Sequence, residues 1–347
     1  MRQPPLYPLA FNPIYKDKVW GGRKLESIGR TLPGDSNVGI GESWELVDLA
    51  TTSASGGGGS AEHSVVRNGP LAGRSINQLI TDYGSALIGD LPLSPEGGFP
   101  LLLKYLDASQ NLSVQVHPSP AYAAANPDAF LKSEAWYIVD CEPGAVIYKG
   151  VQPGVTAEQF RAALEQNTDE AVVPLMISVP VRPGDCHYLP SGTCHALGGG
   201  ILVAEVQTPS DTTFRVYDWG RTGRELHVEA ALACIHFGPA GTAEFEHRVV
   251  TRQGETKVEQ LVRCEFFQIE RIWADADSTF CYDISQPELA MVLGGSLSIS
   301  RPDEPPQAFG RGDTVLLPAS LGLTELQAHA QAQWLRVRFP QVAADND

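Results

Sequence analysis

The chain has 347 residues, 43% of them hydrophobic and 8% aromatic, enough to bury a substantial core and to form two or three domains. Its 41 acidic against 25 basic residues give a formal charge of −16, which argues against nucleic acid as a partner, because neutralising phosphates needs a clustered basic surface. The opening MRQPPLYPLAFNPIYKDKVWGG has no basic stretch followed by an unbroken apolar run, and no later segment has the apolar length of a membrane span, so a cytoplasmic location is expected. Six cysteines (Cys141, Cys186, Cys194, Cys234, Cys264, Cys281) lack CxxC spacing, which leaves neither a disulfide framework nor a thiolate zinc finger.

Three regions follow one another. The first, residues 1–98, holds a Pro-rich arm, a turn at Val19 to Gly22, the run Gly41 to Leu46, and a Gly-rich stretch over Thr51 to Ser60 read as a flexible surface loop. A helix is predicted near Ser75 to Leu87, with Ile76, Leu79, Ile80 and Tyr83 on one face. This region is expected to pack on a barrel formed by the second.

The second region, residues 99–239, carries short apolar runs separated by Gly and Pro: Leu101 to Leu106, Leu112 to Val116, Ala135 to Val139, Cys186 to Leu189, Ile201 to Val206 and Thr213 to Tyr217. A capping box of Thr156 and Gln159 predicts one helix, and a second is predicted around His227 to His236. The third region, residues 240–347, again reads as short strands, among them Leu289 to Leu293 and Thr314 to Leu317. Gly184 to Pro190 and Gly312 to Pro318 share one pattern, Gly-Asp then a short strand then Pro, which points to a duplicated barrel.

Gly184, Pro190, Gly192 and His195 are spaced as G-x5-P-x-G-x2-H and resemble the second signature motif of cupins, in which the histidine points into the barrel as a metal ligand. Gln115 and His117 stand at i and i+2 of a strand, hence on one side of it, and Glu134 opens another strand. Gln115, His117, Glu134 and His195 together offer the oxygen and nitrogen donors of a catalytic zinc site with an open position. A lone histidine among them reads more readily as a hydrogen-bonded polar group inside a barrel, and the four together reverse that balance.

The whole chain resembles the type I mannose-6-phosphate isomerases, in particular their shorter bacterial members. The resemblance rests on Phe11 to Tyr15 with Val19 to Gly22, Gly41 to Leu46, NLSVQVHP (Asn111 to Pro118), Lys132 to Trp136, Gly184 to Gly200, and AEVQTPSDTTFR (Ala204 to Arg215). It implies a mainly β chain of two tandem cupin-type (jelly-roll) β-barrels with a few helices, and one Zn2+ per chain held by Gln115, His117, Glu134 and His195. It implies further that Glu205 and Arg215 face a sugar phosphate, that Asp211 and Lys132 belong to the same site, and that Ser113 and Arg221 stand where the family binds phosphate. VYDWGR, around Arg221, departs from the longer members.

Aldose–ketose isomerisation moves a proton between C2 and C1 through an enediolate, so the site needs a base and an electrophile. Glu205, Asp211, Lys132 and His117 are the candidate bases. Lys132 qualifies only if its pKa is depressed. His187 lies within the cupin-like motif and reads as structural, while His63, His227, His236, His247 and His329 have no partner pattern. Trp20, Trp44 and Trp136 are candidates for a pocket wall. The turn after Pro318 runs Ala319-Ser320-Leu321-Gly322-Leu323, with no histidine where the first motif has one, so the third region is expected to be a barrel without metal ligands. The competing readings are a non-catalytic sugar-binding cupin, an iron oxygenase, and a metal-dependent isomerase of another aldose. The oligomeric expectation is a monomer or small homo-oligomer.

Overall fold

The structure is a computed structural model that describes residues 5–53, 61–242, 249–253, 256–302 and 304–340. Most of the Gly-rich stretch (54–60) and His247 lie outside the described residues. The first part of the chain supplies strands β1 (Leu9–Ala10), β2 (Ile14–Gly22), β3 (Ile40–Leu46), β4 (Asp48–Leu49), β5 (Glu62–His63), β6 (Leu102–Ala108), β7 (Val114–Val116), β8 (Glu134–Cys141), β9 (Val146–Val151), β10 (Met176–Pro180), β11 (Cys186–Leu189), β12 (His195–Leu197), β13 (Ile201–Gln207) and β14 (Phe214–Tyr217). The rest supplies β15 (Val249–Gln253), β16 (Thr256–Arg263), β17 (Gln268–Ala274), β18 (Thr279–Ile284), β19 (Glu288–Gly294), β20 (Ser296–Ser300), β21 (Gln307–Gly310), β22 (Thr314–Leu317), β23 (Gly322–Ala328) and β24 (Ala332–Arg338).

Two antiparallel sheets face each other in each half: β11-β8-β13-β6-β2-β3 with β10-β9-β12-β7-β14, then β1-β22-β19-β24-β17-β16-β15 with β18-β23-β20-β21. This is the expected mainly β architecture of two jelly-roll units, although the sheets remain open at their edges rather than closing into barrels. The first arm strand, β1, pairs with β22 of the second unit, while β2 and β3 extend the large sheet of the first.

The large first sheet is buried on both faces, which explains why its strands read as nearly unbroken apolar runs. Leu106, Trp136, Ile138, Ile201 and Val203 face the smaller sheet. Leu103, Tyr105, Ala135, Tyr137, Leu202 and Ala204 pack instead against Leu289, Met291, Leu335 and Val337 of the second unit. With alternation fixed by the pleat, a lone charged residue in such a strand must point either into the core or into a site. Lys104 and Glu205 are two such residues, on adjacent strands and in register with each other.

The helix predicted over Ser75 to Leu87 is two helices, α1 (Ile76–Tyr83) and α2 (Ser85–Ile88), because Gly84 takes a positive φ of 49° and breaks the ladder. The chain also forms α3 (Pro120–Ala125), α4 (Ala157–Gln166), α5 (Asp169–Val172) and α6 (Val228–Cys234). Val19 to Gly22, read as a turn, instead ends β2 after a bulge: Asp17 and Gly22 both pair with Ile40, while Gly21 pairs with Ala108 of β6. Only glycine fits at Gly21, where a Cβ would come within 2.5 Å of the Gly41 nitrogen. Among the described residues, no helix is long and apolar enough to cross a membrane.

Candidate metal centre and sugar-phosphate cavity

Three adjacent strands of the smaller first sheet bring His195, Gln115 and Arg215 abreast: Gln115 pairs with His195 on one side and Arg215 on the other. The facing sheet aligns Trp136, Glu205, Lys104 and Trp44 in one row, with Glu134 one inward position from Trp136. The turn into His195 is fixed by Gly192, whose φ of +83° suits glycine and whose Cβ position lies 3.0 Å from the Cys234 carbonyl oxygen.

Between the sheets His117, Glu134 and His195 meet, all nearly inaccessible, with one donor atom from each lying within 4.8 Å of the others. His195 Nε2 is 3.2 Å and His117 Nε2 3.4 Å from the Glu134 carboxylate, and Gln115 Nε2 is 3.3 Å from His195 Nε2. His117 Nδ1 donates to the Thr212 carbonyl at 2.9 Å and His195 Nδ1 to the Thr193 carbonyl at 2.8 Å. A carbonyl only accepts, so both Nε2 atoms face the centre as lone pairs, the tautomer a metal ligand requires.

Neither Glu134 oxygen nor His117 Nε2 accepts or donates a hydrogen bond of good geometry among the described residues. Buried polar atoms left this way are costly unless something else satisfies them, and a cation would satisfy all three at once. Burial, reinforced by the nearby Lys132 ammonium, pushes His117 down to about 3, so it is neutral and free to ligate. For Glu134, burial would raise the pKa, but the Lys132 ammonium outweighs it and holds the carboxyl well below the usual range. The residues therefore fit a bound divalent ion.

Beside this centre lies an open-mouthed cavity lined by Lys18, Trp20, Glu42, Trp44, Lys104, Leu106, Leu112, Ser113, Gln115, Lys132, Trp136, Glu205, Asp211, Thr213, Arg215 and Arg224. Gln115 and Lys132 join it to the centre, since Lys132 Nζ is 2.8 Å from Glu134 Oε2. Five cations face three carboxylates in this wall, within a chain whose net charge is −16, so the local field favours an anion. The three tryptophans singled out in the sequence line it, as do Ser113, Glu205, Asp211, Lys132 and Arg215.

Glu205 is buried; its Oε2 accepts from Trp136 Nε1 at 2.9 Å, while Oε1 has no hydrogen bond among the described residues and lies 3.5 Å from Lys104 Nζ. Burial and the neighbouring Glu134 raise its pKa against the pull of Lys132 and Lys104. Burial would lower the pKa of Lys132, but Glu134 and Glu205 outweigh burial and keep it charged. Asp211 Oδ1 accepts from the Ser53 amide at 3.0 Å. Arg221 does not line the cavity; it pairs with Asp218 at 2.8 Å and donates to the Asn111 carbonyl at 2.7 Å. His187 is not part of this trio.

Lys18, Glu42, Lys104 and Arg224 line the cavity without having been singled out. Lys104 carried a readable signal, a lysine inside LLLKYL. Glu42 stands two residues before Trp44 in β3, on the same face by strand alternation, whereas Lys18 sits in a bulge and Arg224 in a loop, where spacing says nothing about direction.

A family model described as "Phosphomannose isomerase type I, catalytic domain" matches residues 9–137. The mannose-6-phosphate isomerase ManA of Bacillus subtilis is 35% identical over 333 residues, covering 93% of this chain and 97% of that protein. The mannose-6-phosphate isomerase of Streptococcus mutans is 33% identical over 321 residues, covering 90% and 93%. The crystal structure of the mannose 6-phosphate isomerase from Bacillus subtilis superposes with a TM-score of 0.81 at 27% identity, covering 96% of this chain and 99% of that one. The chain is therefore a member of the type I phosphomannose isomerase family, the mannose-6-phosphate isomerases.

Proposed function

We propose that this isomerase interconverts mannose 6-phosphate and fructose 6-phosphate, with one zinc ion per chain held by Gln115, His117, Glu134 and His195. The observation that carries the reading is a trio of buried ligating groups that converge on one point, with His117 Nε2 and both Glu134 oxygens lacking hydrogen bonds among the described residues, opening through Gln115 onto a cationic cavity. When bound, the ion supplies Lewis acidity toward the sugar oxygens.

The chain's own residues supply the rest. Glu205 Oε1, the oxygen free of hydrogen bonds, takes the proton from C2 and returns it at C1; a raised pKa suits a carboxyl to both halves of that transfer. Trp136 fixes the other oxygen and so limits the rotation of the carboxylate. Lys132, held protonated, offsets negative charge developing on the substrate oxygens, and Arg215 donates to them. Asp211, tethered to the Ser53 amide, orients a sugar hydroxyl. Ser113, on the wall beside Gln115, contributes a hydroxyl toward the phosphate.

The same proposal takes residues 1–98, 99–239 and 240–347 as an arm region, a catalytic barrel and a barrel without metal ligands. It places the enzyme in the cytoplasm as a monomer or small homo-oligomer, without nucleic-acid or membrane partners. The test is formation of fructose 6-phosphate from mannose 6-phosphate before and after chelation, with glucose 6-phosphate and free mannose as comparison substrates. Activity lost on chelation, restored by zinc and strongest on mannose 6-phosphate is expected. Activity indifferent to chelation, or preference for another aldose, would refute the reading.

A further inference from the structure

The loop after β14 runs Asp218-Trp219-Gly220-Arg221-Thr222-Gly223-Arg224 and carries two arginines on one buried carboxylate. Asp218, 3% exposed, accepts from Nε of Arg224 at 2.8 Å and from its Nη2, and also from Arg221. Arg221 spends its remaining reach on the Asn111 carbonyl at 2.7 Å. Trp219 takes a left-handed φ of 54°, an uncommon conformation for a non-glycine, and its indole donates to the Leu112 carbonyl at 2.6 Å. The loop is thus stitched at two points to residues 111 and 112, directly before Ser113, and the stitching delivers Arg224 to the cavity wall.

The two arginines end in different situations. Arg221 is a strut, pairing with Asp218 and a backbone carbonyl outside the cavity. Arg224 lines the cavity, and its clamp uses Nε and Nη2, leaving Nη1 without a partner among the described residues. Beside it stands Arg215, whose Nη1 donates to the Glu225 carbonyl and whose Nε is buried without a hydrogen bond among the described residues. One buried carboxylate balances one of these three guanidinium charges, so this end of the cavity keeps an excess of positive charge.

We infer that Arg224, pre-oriented by Asp218, is the guanidinium that binds the substrate's phosphate, and that Arg221 only positions the loop. This rests on the sugar-phosphate reading above and goes beyond it by moving the phosphate contact from Arg221 to a residue three positions on. A dianionic phosphate is the ligand such a site fits: a planar donor fixed on one edge presents its other edge with little entropy left to lose.

The test uses the full chain with Arg224→Gln, Arg221→Gln and Arg224→Lys, checked for folding by circular dichroism. Steady-state kinetics with mannose 6-phosphate and calorimetric titration with inorganic phosphate are measured on each. Arg224→Gln is expected to raise KM roughly 10- to 100-fold with kcat within about threefold, and to weaken phosphate binding by a similar factor. Arg221→Gln is expected to raise KM by about threefold or less, and Arg224→Lys to fall between Arg224→Gln and the unmodified chain. Phosphate binding insensitive to Arg224, or a larger KM effect from Arg221→Gln, would overturn the inference. If the chain lacks isomerase activity yet binds phosphate through Arg224, the reaction proposed above fails while this assignment stands.

Discussion

Glu134 sits between two imidazole nitrogens and an ammonium, with no aligned hydrogen bond to either oxygen among the described residues. Glu134→Gln removes the charge that balances Lys132 and one ligand of the trio; metal content by plasma emission should fall well below one per chain and activity should drop at least about 100-fold. Full occupancy with full activity would contradict its role. Glu205→Gln keeps the Trp136 contact and removes the proton acceptor, so kcat should fall roughly 10²- to 10⁴-fold while metal content stays unchanged. Glu42 gives a pH prediction. Burial would raise its pKa, but Lys18 at 3.1 Å and Lys104 outweigh it and bring it down to about 2 from 4.5. Its contribution is complete above pH 4.5 and is lost as pH falls toward 2, so Glu42→Gln should flatten the acid limb of a denaturation curve across that window. The four proposed ligands were legible because strand alternation and a spaced Gly-Pro-Gly-His pattern fix direction as well as identity. Lys18 and Arg224 were not, because a bulge and a loop leave a side chain's direction to tertiary contacts.

The best-read elements are those whose signals are local. In α4, Thr156 Oγ1 accepts from the Gln159 amide at 3.2 Å and the Gln159 side chain accepts from the Thr156 amide at 2.9 Å, the reciprocal pair that the sequence announced. Thr156→Ala should cost about 1 kcal/mol in chemical denaturation and leave kcat and KM unchanged, since α4 does not line the cavity. β9 and β10 were not foreseen. β10 is an edge strand that ends on Pro180, and proline in an apolar run argues against a strand unless one edge is free. The same locality explains the split at Gly84: apolar periodicity continued through it, but the backbone did not.

The duplication suggested by two Gly-Asp…Pro segments extends through the whole molecule. Gly184 and Gly312 both take positive φ, and the strand orders β11-β8-β13-β6 and β10-β9-β12-β7 recur as β22-β19-β24-β17 and β21-β20-β23-β18. In that frame Glu288 opens β19 opposite Leu317 as Glu134 opens β8 opposite Leu189, and the Lys104–Glu205 pair is replaced, with its charges reversed, by Glu270–Arg336. The imidazoles have no counterparts: stacked Phe280 and Trp334 fill the second unit, and Arg336 lies over the Tyr282 ring. Among the described residues, only the first unit gathers a metal-ligating group. The contact between the units was invisible to sequence patterns. Arg30 bridges them, pairing with Glu45 of the first and the Gly312 carbonyl of the second. Arg30→Ala strands the buried Glu45 carboxylate and should cost roughly 3–5 kcal/mol, read as a lower melting temperature, with much of the loss recovered in the Arg30→Ala, Glu45→Gln double variant.

The reading depends above all on one ion held between the two sheets of the first unit. Anomalous diffraction from crystals of the purified protein, recorded on either side of the zinc absorption edge, tests that directly. The expected result is a single peak per chain touching His117 Nε2, His195 Nε2, the Glu134 carboxylate and the Gln115 side chain. An active enzyme whose crystals show no peak there, or a peak elsewhere, would contradict it.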